Sequence, residues 1–158
     1  MIRRDEPNAY AIPGGGVGVT RGLLKNVESE TGLAMVLGYE LGHHQGRHPL
    51  KRIGHTLVFT VAEVVLFGAD SSSVVEASLT MAELGYSRRQ EREADAFGLN
   101  PVHEVYGHTD GSLEFFEKIQ GELGTGDVRW TAFVRNHPLT SNRMENMRQL
   151  HARLETGD

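Results

Sequence analysis

The stretch that decides the fold is Leu33-Ala-Met-Val-Leu-Gly-Tyr39-Glu40-Leu-Gly-His43-His44-Gln-Gly-Arg47-His48. It is one residue away from the zinc-binding pattern His-Glu-x-x-His. In that pattern two histidines four apart share a helical face and hold the metal, and the glutamate between them is a general base. Here Glu40 and His43 are in place, and Tyr39 stands where the first histidine belongs. The spacing of Leu33, Val36, Leu37 and Leu41 predicts a helix, with Ser29 as its N-cap. Tyr39 and His43 then point the same way, with Glu40 about 100° round the axis. Gly38 and Gly42 lie inside this helix. Each costs roughly 1 kcal/mol relative to Ala, so a packing reason is expected for both.

Working outward, 158 residues predict one domain, residues 1–158, large enough for a real core. Sixteen basic against 21 acidic residues give a net charge of −5, with no basic footprint for nucleic acid. The absence of Cys removes disulfides and thiolate metal sites, and fits a cytoplasmic or a periplasmic compartment. Met1 to Arg4 is basic, but Asp5, Glu6 and Pro7 follow, so no signal peptide is legible. The longest apolar run, Thr56 to Ala69, is interrupted by Glu63 and is shorter than the ~20 residues of a spanning helix. It reads as a buried helix, with peripheral membrane contact as the lesser alternative.

Before the central helix, Asn8 to Thr20 reads as strand, glycine turn and strand, followed by a short helix Arg21 to Asn26. Pro13 marks a strand end or an edge. Gly14 to Gly16 is not a phosphate loop, because no Lys-Ser/Thr follows. After it, His48-Pro49 ends the central helix. Further helices are predicted over Leu50 to Phe67, Ser73 to Leu84, from Ser87 to Gly98, Ser112 to Leu123 and Ser141 to Leu154. Trp130 to Val134 is a short apolar segment, and Asn100 to Gly111 reads as a loop. Within that loop His103-Glu104 and His108 imitate the zinc motif, but one residue too far apart to share a face. Glu91 and Asp95 are four apart and do share one. By themselves they describe a solvated charged helix. Behind a Glu-x-x-His helix they also offer the carboxylate ligand that a zinc site takes from a second helix, and a neighbour to orient a ligand.

Four stretches, in order, resemble the zinc metallopeptidases of the CAAX prenyl protease type, peptidase family M48, and within it the Oma-like proteases. They are Asn8-Ala-Tyr-Ala-Ile-Pro-Gly-Gly, the modified helix motif with Arg47-His48 behind it, Ser87-Arg88 through Glu91-x-x-Ala94-Asp95 to Gly98, and His137-Pro138 with Arg143. The resemblance covers about residues 8–150. It implies a mainly α, α+β fold: a zincin-like, gluzincin-type domain with a small β-hairpin beside the active-site helix. It implies one Zn2+ ion and hydrolysis of peptide bonds in extended or misfolded polypeptides. Residue by residue, it implies Glu40 as general base, His43 and Glu91 as zinc ligands, and Asp95 as the carboxylate orienting the ligand at position 39. It further implies His137 near the substrate as an oxyanion donor, and Ala9, Tyr10, Ala11 and Ile12 as the strand that pairs with substrate.

At Tyr39 three arrangements are open. The phenol binds the metal as phenolate; His44 is recruited although it faces elsewhere; or the site is metal-poor and the Tyr39 hydroxyl bonds Asp95 or Glu91. The last leaves room for a function from another class, a non-catalytic peptide-binding module. A di-iron carboxylate protein also uses Glu-x-x-His, but it needs a second such motif, which the sequence lacks. His44, His48, His55 and His151 are assigned to surface or packing roles, and oligomeric state is not legible.

Overall fold

The structure is a computed structural model that describes residues 1–12, 16–68, 85–123, 125 and 127–157. The expected helix Ser73 to Leu84 and the centre of the glycine turn lie outside these residues. In chain order the elements are β1 (Ala9–Ile12), β2 (Gly16–Val19), α1 (Arg21–Asn26), α2 (Glu30–Gln45), α3 (His48–Phe67), α4 (Arg88–Tyr106), α5 (Glu114–Glu122), α6 (Thr131–Asn136) and α7 (Ser141–Thr156). The molecule is mainly helical with a two-stranded antiparallel sheet.

The helix starts follow their capping residues. Ser29 Oγ accepts from the Gly32 N–H, and Ser87 forms a full capping box with Gln90. In the sheet Ala9 pairs with Val19 and Ile12 with Gly16. Ile2 covers the outer edge of β2, donating to Val19 O and accepting from the Arg21 N–H. The outer edge of β1 therefore faces α2, where the Ala11 N–H donates to Glu40.

The two helices that carry the site cross at nearly bare backbone. A Cβ added to Gly42 would lie 2.9 Å from Ala94 Cα and 2.9 Å from Phe97 Cβ, and one on Gly38 would lie 3.0 Å from Gly98 Cα. This is the packing reason for the two helical glycines. Gly42→Ala should therefore lower stability by about 1–3 kcal/mol through forced separation of α2 and α4, despite the better helix propensity of Ala. Urea unfolding measures it, and an unchanged or raised midpoint would remove the claim.

Around this crossing the core is aromatic. Phe115 packs edge-to-face on Phe116, Trp130 and Phe133, and Met144 and Met147 from α7 close it. The inward face of α2 is Met35, Val36, Tyr39, Gly42 and His43, whereas Leu41 is exposed. Apolar residues occur on several sides of this helix, so their spacing marks a helix without choosing a face.

Two expectations need correction. α4 does not stop near Gly98 but runs through Pro101 to Tyr106, because Leu99 and Val102 are buried on either side of the proline and Gly107, at φ 75°, ends the helix. The short apolar segment Trp130 to Val134 enters the short helix α6, with Trp130 and Phe133 buried. The apolar run in α3 is not buried: Leu57, Val58, Phe59, Val61, Val65 and Leu66 are all exposed.

Candidate metal centre

The site forms where α2, α4 and the α6–α7 connection meet. Tyr39, Glu40, His43, Glu91, Asp95, His137 and Arg143 are all buried there. A cleft of about 570 Å³ between the starts of α4 and α7 leads in from solvent, lined by Tyr86, Glu91, Pro138 and Arg143 among others.

Tyr39 fills the space of the absent histidine. Its hydroxyl donates to Glu91 Oε2 at 2.5 Å and lies 2.5 Å from His137 Nδ1. Burial raises its pKa well above the usual phenol value, the charge of Arg143 opposes this, and the nearby carboxylates add to it. The group is a neutral phenol with one proton. That proton goes to Glu91, so His137 Nδ1–H is the donor toward the phenol oxygen.

Glu40 Oε2 accepts from the Ala11 N–H at 2.9 Å, and its Oε1 lies 3.5 Å from His137 Nε2. Burial pushes the Glu40 carboxyl up to about 7, against the pull of His137 and the Ala11 N–H. His43 is held neutral: burial, then the neighbouring His137 and His48, push it down to about 2. Its Nδ1 lies 3.0 Å from His48 Nδ1, and His48 Nε2 lies 3.3 Å from Glu93 Oε2. Proton bookkeeping along this chain gives His43 Nδ1–H to His48 and His48 Nε2–H to Glu93. His43 Nε2 is then a lone pair aimed into the site, the tautomer that ligation requires.

His48 is the residue that sequence reasoning assigned elsewhere. It is fully buried because Arg47 takes left-handed backbone, φ 53°, and folds the chain back under His43. Gly46 makes room: a Cβ there would fall 2.2 Å from His48 Nε2. The five-residue interval from His43 to His48 carries no helical period that would have revealed this. Tyr86, whose ring stacks on His43 at 4.0 Å, was missed as well. His44 does not join the site; its Nε2 reaches Ile12 O. Asp95 faces Arg143 rather than Tyr39, through a paired contact of 2.9 Å to Nε and 2.6 Å to NH2. The same guanidinium reaches Glu91 Oε2 at 2.5 Å. Replacing His48 by Ala should lower any divalent-metal affinity of this centre roughly 10–100-fold while the fold persists. Competition with a chromophoric chelator reads this, and unchanged affinity would count against the orienting role.

Three buried acceptors at the centre lack any hydrogen-bond partner: Glu40 Oε1, His43 Nε2 and Glu91 Oε1. His43 Nε2 is 3.8 Å from Glu91 Oε1, and His137 Nδ1 is 3.4 Å from it. Ligand atoms around a tetrahedral zinc stand about 3.3 Å apart. Among the described residues, His43, Glu91 and His137 form the one group able to hold a metal, with ligand atoms all within 4.8 Å of one another. Two carboxylates, Glu91 and Asp95, face one guanidinium, which leaves room for a cation. The donor set fits a divalent ion.

The chain has been compared with known proteins. The family model for peptidase family M48 matches residues 1–151. Mitochondrial metalloendopeptidase OMA1 of Schizosaccharomyces pombe is 30% identical over 158 residues, covering 94% of this chain and 45% of that protein. The protein of the same name from Saccharomyces cerevisiae is 26% identical, covering 89% and 42%. The beta-barrel assembly-enhancing protease of Escherichia coli K12 is 24% identical, covering 94% and 33%. The chain thus spans less than half the length of these relatives.

Proposed function

Since the chain belongs to peptidase family M48, we propose that residues 1–158 form one zincin-like metalloendopeptidase domain, acting on extended polypeptide through a metal centre altered at Tyr39. The observation that carries this reading is the convergence of three unpartnered buried acceptors, Glu40 Oε1, His43 Nε2 and Glu91 Oε1. Buried acceptors of this kind are costly unless a donor or a cation meets them. His43, Glu91 and a ring nitrogen of His137 would hold zinc, with the Tyr39 oxygen beside them. When bound, the ion supplies Lewis acidity that makes water nucleophilic near neutral pH and polarises the peptide carbonyl.

Glu40, at about 7, is matched to taking a proton from water and returning it to the leaving amine. An extended substrate along the open edge of β1 would take the Ala11 N–H that Glu40 now accepts. That exchange frees both carboxylate oxygens for the reaction. His137 has two possible duties, ligand or oxyanion donor. Where it replaces the missing histidine as ligand it cannot also stabilise the oxyanion, so turnover is attenuated rather than lost.

The competing reading is a peptide-binding module without catalysis. It is favoured by the Tyr39 hydroxyl, already satisfied by Glu91 and His137 at 2.5 Å each. Zinc loading, dialysis and elemental analysis separate the two. Retention of roughly one equivalent, lost in Glu91→Ala, supports the metal centre; no retained zinc favours the module.

Glu40→Gln should abolish hydrolysis of unfolded protein substrates while bound zinc stays. It also has a pH signature in metal-free protein. The folded pKa is near 7 against 4.5 unfolded, so the stability contributed by Glu40 is full below 4.5 and lost as pH rises to 7. Glu40→Gln should therefore gain up to about 3 kcal/mol above pH 7 and melt like the parent at pH 4. Parallel melting curves at every pH would contradict this.

A further inference from the structure

The cleft that leads to the metal centre carries charges that the centre does not use. Among the described residues that line it, Arg88, Arg92 and Arg143 are basic and Glu91 alone is acidic. Arg143 is committed to Asp95 and Glu91. Arg88 and Arg92 are exposed, and neither guanidinium makes an ion pair or hydrogen bond among the described residues. Their neighbour Arg89 does find a partner, Glu93, four residues on.

Both placements work against the helix. Arg88 directly follows the cap Ser87, so its charge meets the positive end of the α4 dipole. Arg92 stands four residues after Arg88, a like-charge pair on one helical face. An anion between the two relieves both. The start of α7, across the cleft, adds neutral donors. Asn146 Nδ2 donates to Asn142 Oδ1 at 3.1 Å, which leaves Asn142 Nδ2 without an acceptor among the described residues. Thr140 Oγ accepts from the Arg143 N–H at 3.2 Å, and its own O–H has no acceptor there. Two guanidiniums facing an amide and a hydroxyl are the complement of a carboxylate. Arg88 precedes Glu91 by three residues, about 4.5 Å of helix, and Glu91 belongs to the group able to hold a metal.

We infer that this cleft is a subsite for an acidic side chain, Asp or Glu, of the polypeptide substrate close to the scissile bond, with Arg88 and Arg92 setting the preference. The inference deepens the peptidase reading and rests on it. The chain as a whole carries −5 and repels acidic polypeptides at long range. An extended substrate turns alternate side chains to opposite sides. The preference is therefore for an acid at one position of the bound segment, not for acidic substrates in general.

The test uses the zinc-loaded full chain and labelled, otherwise neutral peptides with amidated C-termini, in which a single Glu is moved along the sequence and compared with Gln at the same place. Fluorescence anisotropy reads binding, and mass spectrometry reads the cut. The expected result is binding roughly ten-fold tighter for Glu than for Gln at one position of the scan, with cleavage at a fixed distance from that Glu. The preference should vanish in Arg88→Gln/Arg92→Gln and largely persist in Arg88→Lys/Arg92→Lys. The Gln double variant should melt at or above the parent temperature, because the charges it removes oppose the helix. Equal binding of the Glu and Gln peptides at every position, or a preference that survives Arg88→Gln/Arg92→Gln, overturns the inference. So does a large fall in melting temperature for that variant, which would make the two arginines part of the fold. A preference seen only with a free terminal carboxylate would assign the cleft to a chain end and equally overturn it. The peptidase reading fails separately, on absent zinc and absent cleavage, whereas the anisotropy comparison decides the subsite with or without turnover.

Discussion

Tyr39→His should raise zinc affinity by at least about 100-fold, because it restores a direct ligand where even the loss of a group outside the ligand shell costs 10–100-fold. Positions 39 and 43 share a face of α2, so the new imidazole enters the space the phenol occupies. At neutral pH an imidazole offers a lone pair outright. The buried Tyr39 phenol must first lose a proton that burial holds in place. The substitution also frees His137 and Glu91 from the hydroxyl that now bridges them. Without metal the variant should be slightly less stable, since the smaller ring leaves space beside Phe116, whose ring centre is 5.6 Å from that of Tyr39. With zinc present its melting temperature should rise with metal concentration, as binding to the native state alone demands. Chelator competition measures the affinity, and hydrolysis of an unfolded protein measures the gain in turnover. Equal zinc affinity in parent and variant would mean that Tyr39 is not the weak point of the centre.

Arg143→Met should be the most destabilising single change, costing about 3–5 kcal/mol, because it strands Asp95 and Glu91 as buried carboxylates without their cation. That is a large share of a typical 5–15 kcal/mol. The guanidinium holds Asp95 in a paired contact, reaches Glu91, and lies 4.9 Å above the Tyr39 ring. Burial already raises the pKa of Asp95, and Arg143 is the main opposing influence. Its removal moves that carboxyl further up. A raised carboxyl pKa contributes stability at low pH that is lost as pH rises through it. The variant should therefore be weakest at alkaline pH and partly rescued on acidification. Adding Asp95→Asn should restore much of the loss. Denaturant unfolding of the parent, single and double variants across pH decides this, and a loss under 1 kcal/mol would refute the account.

What could be read in advance was local or periodic. Ser29 and Ser87 announce helix starts through a side-chain oxygen near an N–H two or three residues on. The hairpin follows from a glycine run between two short apolar segments. Glu40 with His43, and Glu91 with Asp95, are readable as face-sharing pairs. What escaped was set by tertiary placement. Nothing near Asp95 indicates that its partner is Arg143, 48 residues away, rather than residue 39. The left-handed turn at Arg47 that buries His48 has no periodic signature. The apolar spacing of α3 shows that one face is greasy, but not that this face points away from the core. Pro101 reads as a breaker, and the burial of Leu99 and Val102 overrides it.

The centre is assembled from segments made far apart in time. As the chain leaves the ribosome, Glu40 and His43 appear first, Glu91 and Asp95 some fifty residues later, and His137 and Arg143 last. The bond between Tyr39 and His137 closes a loop of 98 residues. Long-range closures of this kind come late in folding. Until α7 docks, two carboxylates on α4 have no counter-charge and the acceptors on α2 have no enclosure. A nascent or clipped chain that lacks α7 therefore has no completed centre, and the group of buried donors comes into being only in a molecule whose α7 has docked.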